Sequence, residues 1–124
     1  MYLIGAAHPH KADAQIALER LVAARERLVT DAEVLQEILH RYTAIGRREA
    51  IRPAIHLMLG LIDEVLPMEK ADVLRAAEIV QDSAALSARD AVHVAVMEHH
   101  EIRSIFSFDA DFDRWPGLRR IPQA

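Results

Sequence analysis

Short apolar runs of extended character alternate with amphipathic stretches along this chain, and that alternation restricts the fold more than any other feature. The extended runs read RLVT at 27–30, EVLPM at 64–68, SIFSF at 104–108 and LRRI near the end. Between them apolar residues recur at helical spacing. Ala14, Leu18, Leu21 and Val22 follow Pro9 on one helix face; Val34, Leu35, Ile38, Leu39 and Tyr42 mark a second helix, stopped by Gly46. Ile51, Ile55, Leu59 and Ile62 mark a third, with Pro53 near its first turn, where proline costs least. Further helices are predicted around 71–80 and from Leu86, after Asp82 and Ser83, to about His100. Thr30 and Glu33 have the spacing of a capping box, which predicts Thr30 as the N-cap of the second helix. A short parallel sheet flanked by helices, an α/β fold in three layers, follows from this order. In such folds, sites form outside the carboxyl ends of the strands.

Length and composition narrow the function. The 124 residues suit one domain, and no cysteine is present, which removes disulfides, thiolate metal sites and cysteine nucleophiles and fits a reducing, cytoplasmic setting. No apolar run reaches the ~18 residues of a membrane span, so no membrane partner is expected. The net charge is −4, so any nucleic-acid binding needs a local basic patch or bound cations. There is neither a nucleophile elbow nor a glycine-rich phosphate loop.

The stretch LSARDAVHVAV at 86–96 is apolar on several sides, as a buried helix is, yet Asp90 stands at its start. A desolvated carboxylate costs several kcal/mol without a partner. The carboxyl-end rule also selects Asp109, directly after the run SIFSF, and Glu37, about two turns beyond RLVT. Acids that converge repel one another and stay ionised together only beside a cation. Oxygen donors without cysteine suit Mg2+ or Mn2+ better than zinc. Each acid also has a plainer explanation. Ser87 and Asp90 are spaced as a capping box, Asp109 suits a turn cap, and Glu37 stands four residues before Arg41 in the favourable ion-pair order. Asp111 and Asp113 read as solvated turn acids, and His93 as a packing or hydrogen-bonded histidine. The pairs His8/His10 and His99/His100 do not match a zinc signature. Arg41, Arg47, Arg48 and Arg52 gather near one helix junction, with Arg114, Arg119 and Arg120 near the end; such runs are solvated faces or guides for a phosphate backbone.

The stretches LVTDAEVLQEILHRY, LSARDAVHVAVMEHH and IFSFDADFDRWPGL together resemble the PIN-domain ribonucleases, most closely the VapC-type toxins of bacterial toxin–antitoxin pairs. The resemblance spans nearly the whole chain. It implies a PIN-like three-layer fold and Mg2+- or Mn2+-dependent endoribonuclease activity that leaves a 5′-phosphate and a 3′-hydroxyl. It further implies inhibition by a cognate VapB-like antitoxin and a homodimer. By the same resemblance Glu37, Asp90 and Asp109 are catalytic acids and metal ligands, with Asp113 as an accessory acid. Arg41, Arg47, Arg48 and Arg114 are candidate RNA contacts, and an apolar groove near the helices within 31–62 is a dock for an amphipathic antitoxin segment.

One departure stands out. Such domains open with a strand ending in Asp-x-Asn, and no such motif occurs here. Either MYLI is that strand with Gly5 in place of the Asp, or the strand lies upstream of Met1. The position of His8-Pro9 favours the second reading, so a single PIN-like domain lacking its first strand is expected. Unpaired buried backbone groups cost ~1–3 kcal/mol each, so this form is expected to be less stable than one about ten residues longer, and weakly active or inactive. A rival reading, a crippled PIN-fold module that only holds antitoxin or RNA, draws on the same gap.

Overall fold

The structure, a computed structural model, describes residues 1–5, 11–107 and 109–121, with the side chains of 11–15 outside the described part. His8, Pro9, His10 and Phe108 lie outside the described residues. Five strands, β1 (Tyr2–Ile4), β2 (Leu28–Asp31), β3 (Glu64–Leu66), β4 (Ser104–Phe106) and β5 (Arg119–Ile121), form one sheet in the order β3-β2-β1-β4-β5. All four pairings are parallel. The helices are α1 (Lys11–Ala23), α2 (Ala32–Ala44), α3 (Ile51–Leu61), α4 (Lys70–Asp82) and α5 (Ala88–His99), with short 3-10 turns at Arg48–Ala50 and Ala110–Arg114.

Alternation along the strands sorts the core into two layers. Leu3, Val29 and Ile105 face α4 and α5, where Ala76, Ile79, Ala91, Val94 and Ala95 close over them. Ile4, Leu28 and Phe106 point to the other side, against Leu18 and Leu21 of α1 and Met58 of α3. A parallel sheet covered on both faces favours apolar residues at successive strand positions, as in Leu3–Ile4, Leu28–Val29 and Ile105–Phe106, while the edge strand β5 carries Arg119 and Arg120.

The central place, expected to be vacant, is taken by Tyr2–Ile4, which pairs with β2 on one side and β4 on the other. Leu3 and Ile4 are both fully buried and supply one side chain to each core layer. Gly5 N–H donates to the Phe106 carbonyl at 2.9 Å, and the Thr30 hydroxyl donates to the Ile4 carbonyl at 2.7 Å. Thr30 is therefore engaged by the sheet, and the N-cap of α2 is Asp31 instead, whose carboxylate accepts from Val34 N–H. Strand order reverses about β1, so the carboxyl ends of β1, β2 and β4 open on a switch point, the place where α/β folds build sites. Gly5, Asp31 and Ser107 stand at those three ends. A Cβ at Gly5 would lie 3.2 Å from the Phe106 carbonyl oxygen, so the sheet is closely packed where the resemblance places an acid.

Candidate functional site

Two groups of acids meet at this edge. The first is built by α5 and the segment after β4. Ser87 caps α5, its hydroxyl accepting from Asp90 N–H at 3.2 Å, which fixes Asp90 half-buried in the first turn. Beyond β4, the Ser107 hydroxyl accepts from Asp109 N–H at 3.0 Å, and Asp109 Oδ1 accepts from Asp111 N–H at 2.9 Å. These local bonds bend the chain so that carboxylate oxygens of Asp90, Asp109 and Asp111 lie within 4.8 Å of one another. Burial pushes the Asp90 carboxyl up, the Asp109 charge pushes it further, and the Ser87 hydroxyl and His93 pull it back, leaving it at about 6.

The second group is built by α2 and the same helix α5. Asp31, fully buried, places Oδ2 2.6 Å from His93 Nδ1, and Glu37 places Oε1 3.0 Å from His93 Nε2. With a carboxylate oxygen facing each ring nitrogen, both nitrogens donate and the ring is an imidazolium. Burial alone would lower the His93 pKa; the hydrogen bonds to Asp31 and Glu37, then their charges, overcome it and raise the group to about 10. Glu33, also buried, is pushed up by desolvation and by the Glu37 charge.

The predicted residues sort as follows. Asp90 and Asp109 come together. Glu37 does not join their cluster directly but is joined to α5 through His93, three residues after Asp90. Asp113 is a correction: it turns away to Arg120, whose Nε and Nη2 grip its two oxygens at 2.9 and 3.0 Å, and the guanidinium holds its carboxyl below the usual range. The third acid beside Asp90 and Asp109 is Asp111 instead, two residues from Asp109 as an Asx-type turn requires. Arg41, Arg47 and Arg48 lie at the α2–α3 junction, where Arg47 pairs with Glu49 at 2.7 Å, whereas Arg114 ends the turn that carries Asp109 and Asp111. Sequence reasoning missed Asp31, because Thr30 and Glu33 offered a rival cap, and it read His93 as a packing or hydrogen-bonded histidine without its two acidic partners. His99 bonds Asp72 at 3.0 Å, so the His99/His100 pair is engaged away from the acids.

The donor set fits a hard divalent cation. It is all oxygen and it concentrates negative charge, and the Asp90 carboxyl, raised by burial and then by the Asp109 charge, is one that such a cation would help to ionise. No helix among the described residues is long and apolar enough to cross a membrane.

Acids clustered at the switch point of a parallel sheet define an α/β class with an oxygen-donor site suited to a divalent cation. Residues 1–118 match the PIN domain model. The chain is 58% identical over 121 residues to ribonuclease VapC13 of Mycobacterium tuberculosis, an alignment covering 98% of this chain and 92% of that one. This chain belongs to the PIN domain family, among its VapC ribonucleases. Two solved structures have similar folds. VapBC2 of Rickettsia felis, bound to a DNA fragment from its promoter, superposes with a TM-score of 0.73 at 15% identity, covering 96% of each chain. VapC20 of Mycobacterium tuberculosis, a sarcin–ricin loop cleaving toxin, superposes with a TM-score of 0.71 at 20% identity, covering 91% of this chain and 93% of that one.

Proposed function

We propose that this chain is a Mg2+- or Mn2+-dependent endoribonuclease toxin of the VapC type, restrained by a VapB-like antitoxin. The observation that carries the reading is the convergence of Asp90, Asp109 and Asp111 within 4.8 Å at the switch point of the sheet. Asp90 and Asp109 hold the cation, Asp111 assists, and Glu37 supplies a further carboxylate from α2. A bound divalent ion supplies Lewis-acid charge that lowers the pKa of a water and offsets charge building on the scissile phosphate. The residues of the chain do the rest. Ser107 and the Asp111 N–H orient the Asp109 carboxylate, and the α5 cap fixes Asp90 before any ion arrives. Arg114, on the same turn, is placed to meet an RNA phosphate. Water attacks the phosphorus, the 3′-oxygen leaves with a proton, and the products carry a 5′-phosphate and a 3′-hydroxyl. Asp90→Asn, assayed for Mg2+-dependent cleavage of structured RNA, is expected to abolish cleavage; undiminished cleavage overturns the assignment.

A second reading rests on Gly5. The described residues carry no acid at the end of the central strand, so the site has one carboxylate fewer than the resemblance implies. A binding module that holds antitoxin or RNA without cutting follows from that gap. It predicts no cleavage by the chain at any Mn2+ concentration that saturates Asp90 and Asp109.

The antitoxin is assigned to the helices α2 and α3. Not one residue of α3 is buried, although the helix is rich in leucine, and Leu57 is 73% exposed. Leu39 and Ile45 extend the same exposed apolar character at α2. Such a surface suits the apolar face of an amphipathic segment.

A further inference from the structure

Deepening the metal-dependent reading above, on which this inference rests, we propose that His93 is a positioning residue that holds Glu37 ready for the cation, with Asp31 as its anchor. His93 is nine-tenths or more buried, at 3% exposure, and both of its ring nitrogens are committed. The two bonds do different work. Nδ1 meets Asp31, which is itself fully buried and fixed by accepting from Val34 N–H at 3.0 Å. The ring is thereby immobilised against the end of β2 and the first turn of α2. Nε2 is then a fixed donor aimed at Glu37 Oε1.

Glu37 needs such a partner more than the other acids do. Asp90, Asp109 and Asp111 are short side chains set by local caps and turns. Glu37 stands on a different helix, is partly exposed at 16%, and has one more rotatable bond than aspartate. Ordering a free glutamate costs roughly 1.5–2 kcal/mol of rotamer entropy, which a preset hydrogen bond removes from the binding step. His93 uses one oxygen, and Oε2 has no hydrogen bond among the described residues. Because Asp90 and His93 lie three residues apart on one face of α5, the same contact also fixes the position of α5 relative to α2.

The two bonds are separable by substitution. The amide nitrogen of asparagine falls near Nδ1 and keeps the Asp31 contact; that of glutamine falls near Nε2 and keeps the Glu37 contact. Mn2+ affinity is measured by calorimetry, beside thermal melts in chelator. His93→Asn is expected to weaken Mn2+ binding about tenfold or more, the size typical of groups that orient ligands, and to melt below the unsubstituted chain at neutral pH because the imidazolium is lost. His93→Gln is expected to keep Mn2+ affinity within about threefold while melting lower, a rescue that a purely structural histidine would not show. His93→Asn should have no further effect in a Glu37→Gln background. Unchanged Mn2+ affinity in His93→Asn overturns the proposal. Should His93→Asn fail to fold, His93→Gln decides, because loss of Mn2+ affinity equal to that of Glu37→Gln overturns it and retention supports it. Asp90→Asn separates this inference from the reading beneath it. If Mn2+ binding survives Asp90→Asn, the metal site itself is wrong. If binding is lost there but untouched in His93→Asn, only the role of His93 falls.

Discussion

Arg120 of β5 is buried and grips Asp113 with two parallel hydrogen bonds, while its Nη1 donates to the Ser107 carbonyl at 3.2 Å. One side chain thus ties together both ends of the segment that carries Asp109 and Asp111. Lysine cannot form this planar fork. Arg120→Lys is expected to lower the melting temperature by several degrees and to weaken Mn2+ binding several-fold, because the loop acids lose their fixed spacing. Calorimetry and thermal melts on the variant check both effects; unchanged Mn2+ affinity would show that the local bonds at Ser107 and Asp111 hold the loop unaided.

Asp90 is held against its own preference. Its carboxyl is raised from 3.8 to about 6 by burial and by Asp109. A carboxyl raised on folding favours the fold below its unfolded value, and that advantage is lost as pH climbs from about 4 to about 6. At pH 7 without metal the ionised group therefore opposes folding. Asp90→Asn removes the opposition and, after allowance for partial exposure, is expected to stabilise the chain by ~1 kcal/mol, or about 4 °C. The gap should close below pH 4, and Mn2+ should raise the melting temperature of the unsubstituted chain only. Melts in chelator and in Mn2+ across pH 4–8 test this; a variant less stable than the parent at pH 7 contradicts it.

How much was legible in the sequence depends on the range of the contacts involved. The strands showed because a doubly covered parallel sheet favours short apolar runs; β3, β4 and β5 fall within the runs read from sequence, and β2 overruns its run by one residue, Asp31. Asp90 and Asp109 showed because each is marked locally, one at the start of an apolar helix and the other directly after a strand run. Asp31 did not show. Two adjacent residues could cap α2, and the choice was made by β1, whose Ile4 carbonyl claims the Thr30 hydroxyl. The Arg120 partner of the turn acid Asp113 did not show for a similar reason, since it comes from β5. The double bond of His93 needs α2 and α5 to meet across 56 and 62 residues of separation, and no local pattern carries that. MYLI was read against a family motif, and the expectation of a vacant central place gave way to direct pairing with β2 and β4.

The charged His93 gives stability a dependence on alkaline pH. Its pKa rises from 6.5 unfolded to about 10 folded. A cation favoured by folding contributes fully below the lower value, and the contribution declines as pH rises through the higher one. Denaturant midpoints should therefore fall between pH 7 and 10, with a slope approaching ~1.4 kcal/mol per pH unit from this group alone. His93→Asn lacks the group, so its curve should be flatter and should converge on that of the parent near pH 10. Parallel curves over this interval would mean that the imidazolium is not the source.

The exposed face of α3 is the last feature with a direct test. Pro53, Leu57 and Leu61 recur at fourfold spacing on one side of the helix, and all three are exposed. Replacing an exposed leucine costs the isolated chain little, since Leu57 is 73% accessible and no core packing is lost. An apolar anchor at the centre of an interface, by contrast, contributes ~2 kcal/mol or more, so a charge there is expected to weaken the complex at least tenfold. Leu57→Asp should therefore melt like the parent and bind Mn2+ like the parent, yet fail to hold its VapB-like antitoxin in a calorimetric titration. RNA cleavage by this variant should also escape the antitoxin. Full inhibition with unaltered affinity would move the antitoxin off α3 and leave its leucines to another partner.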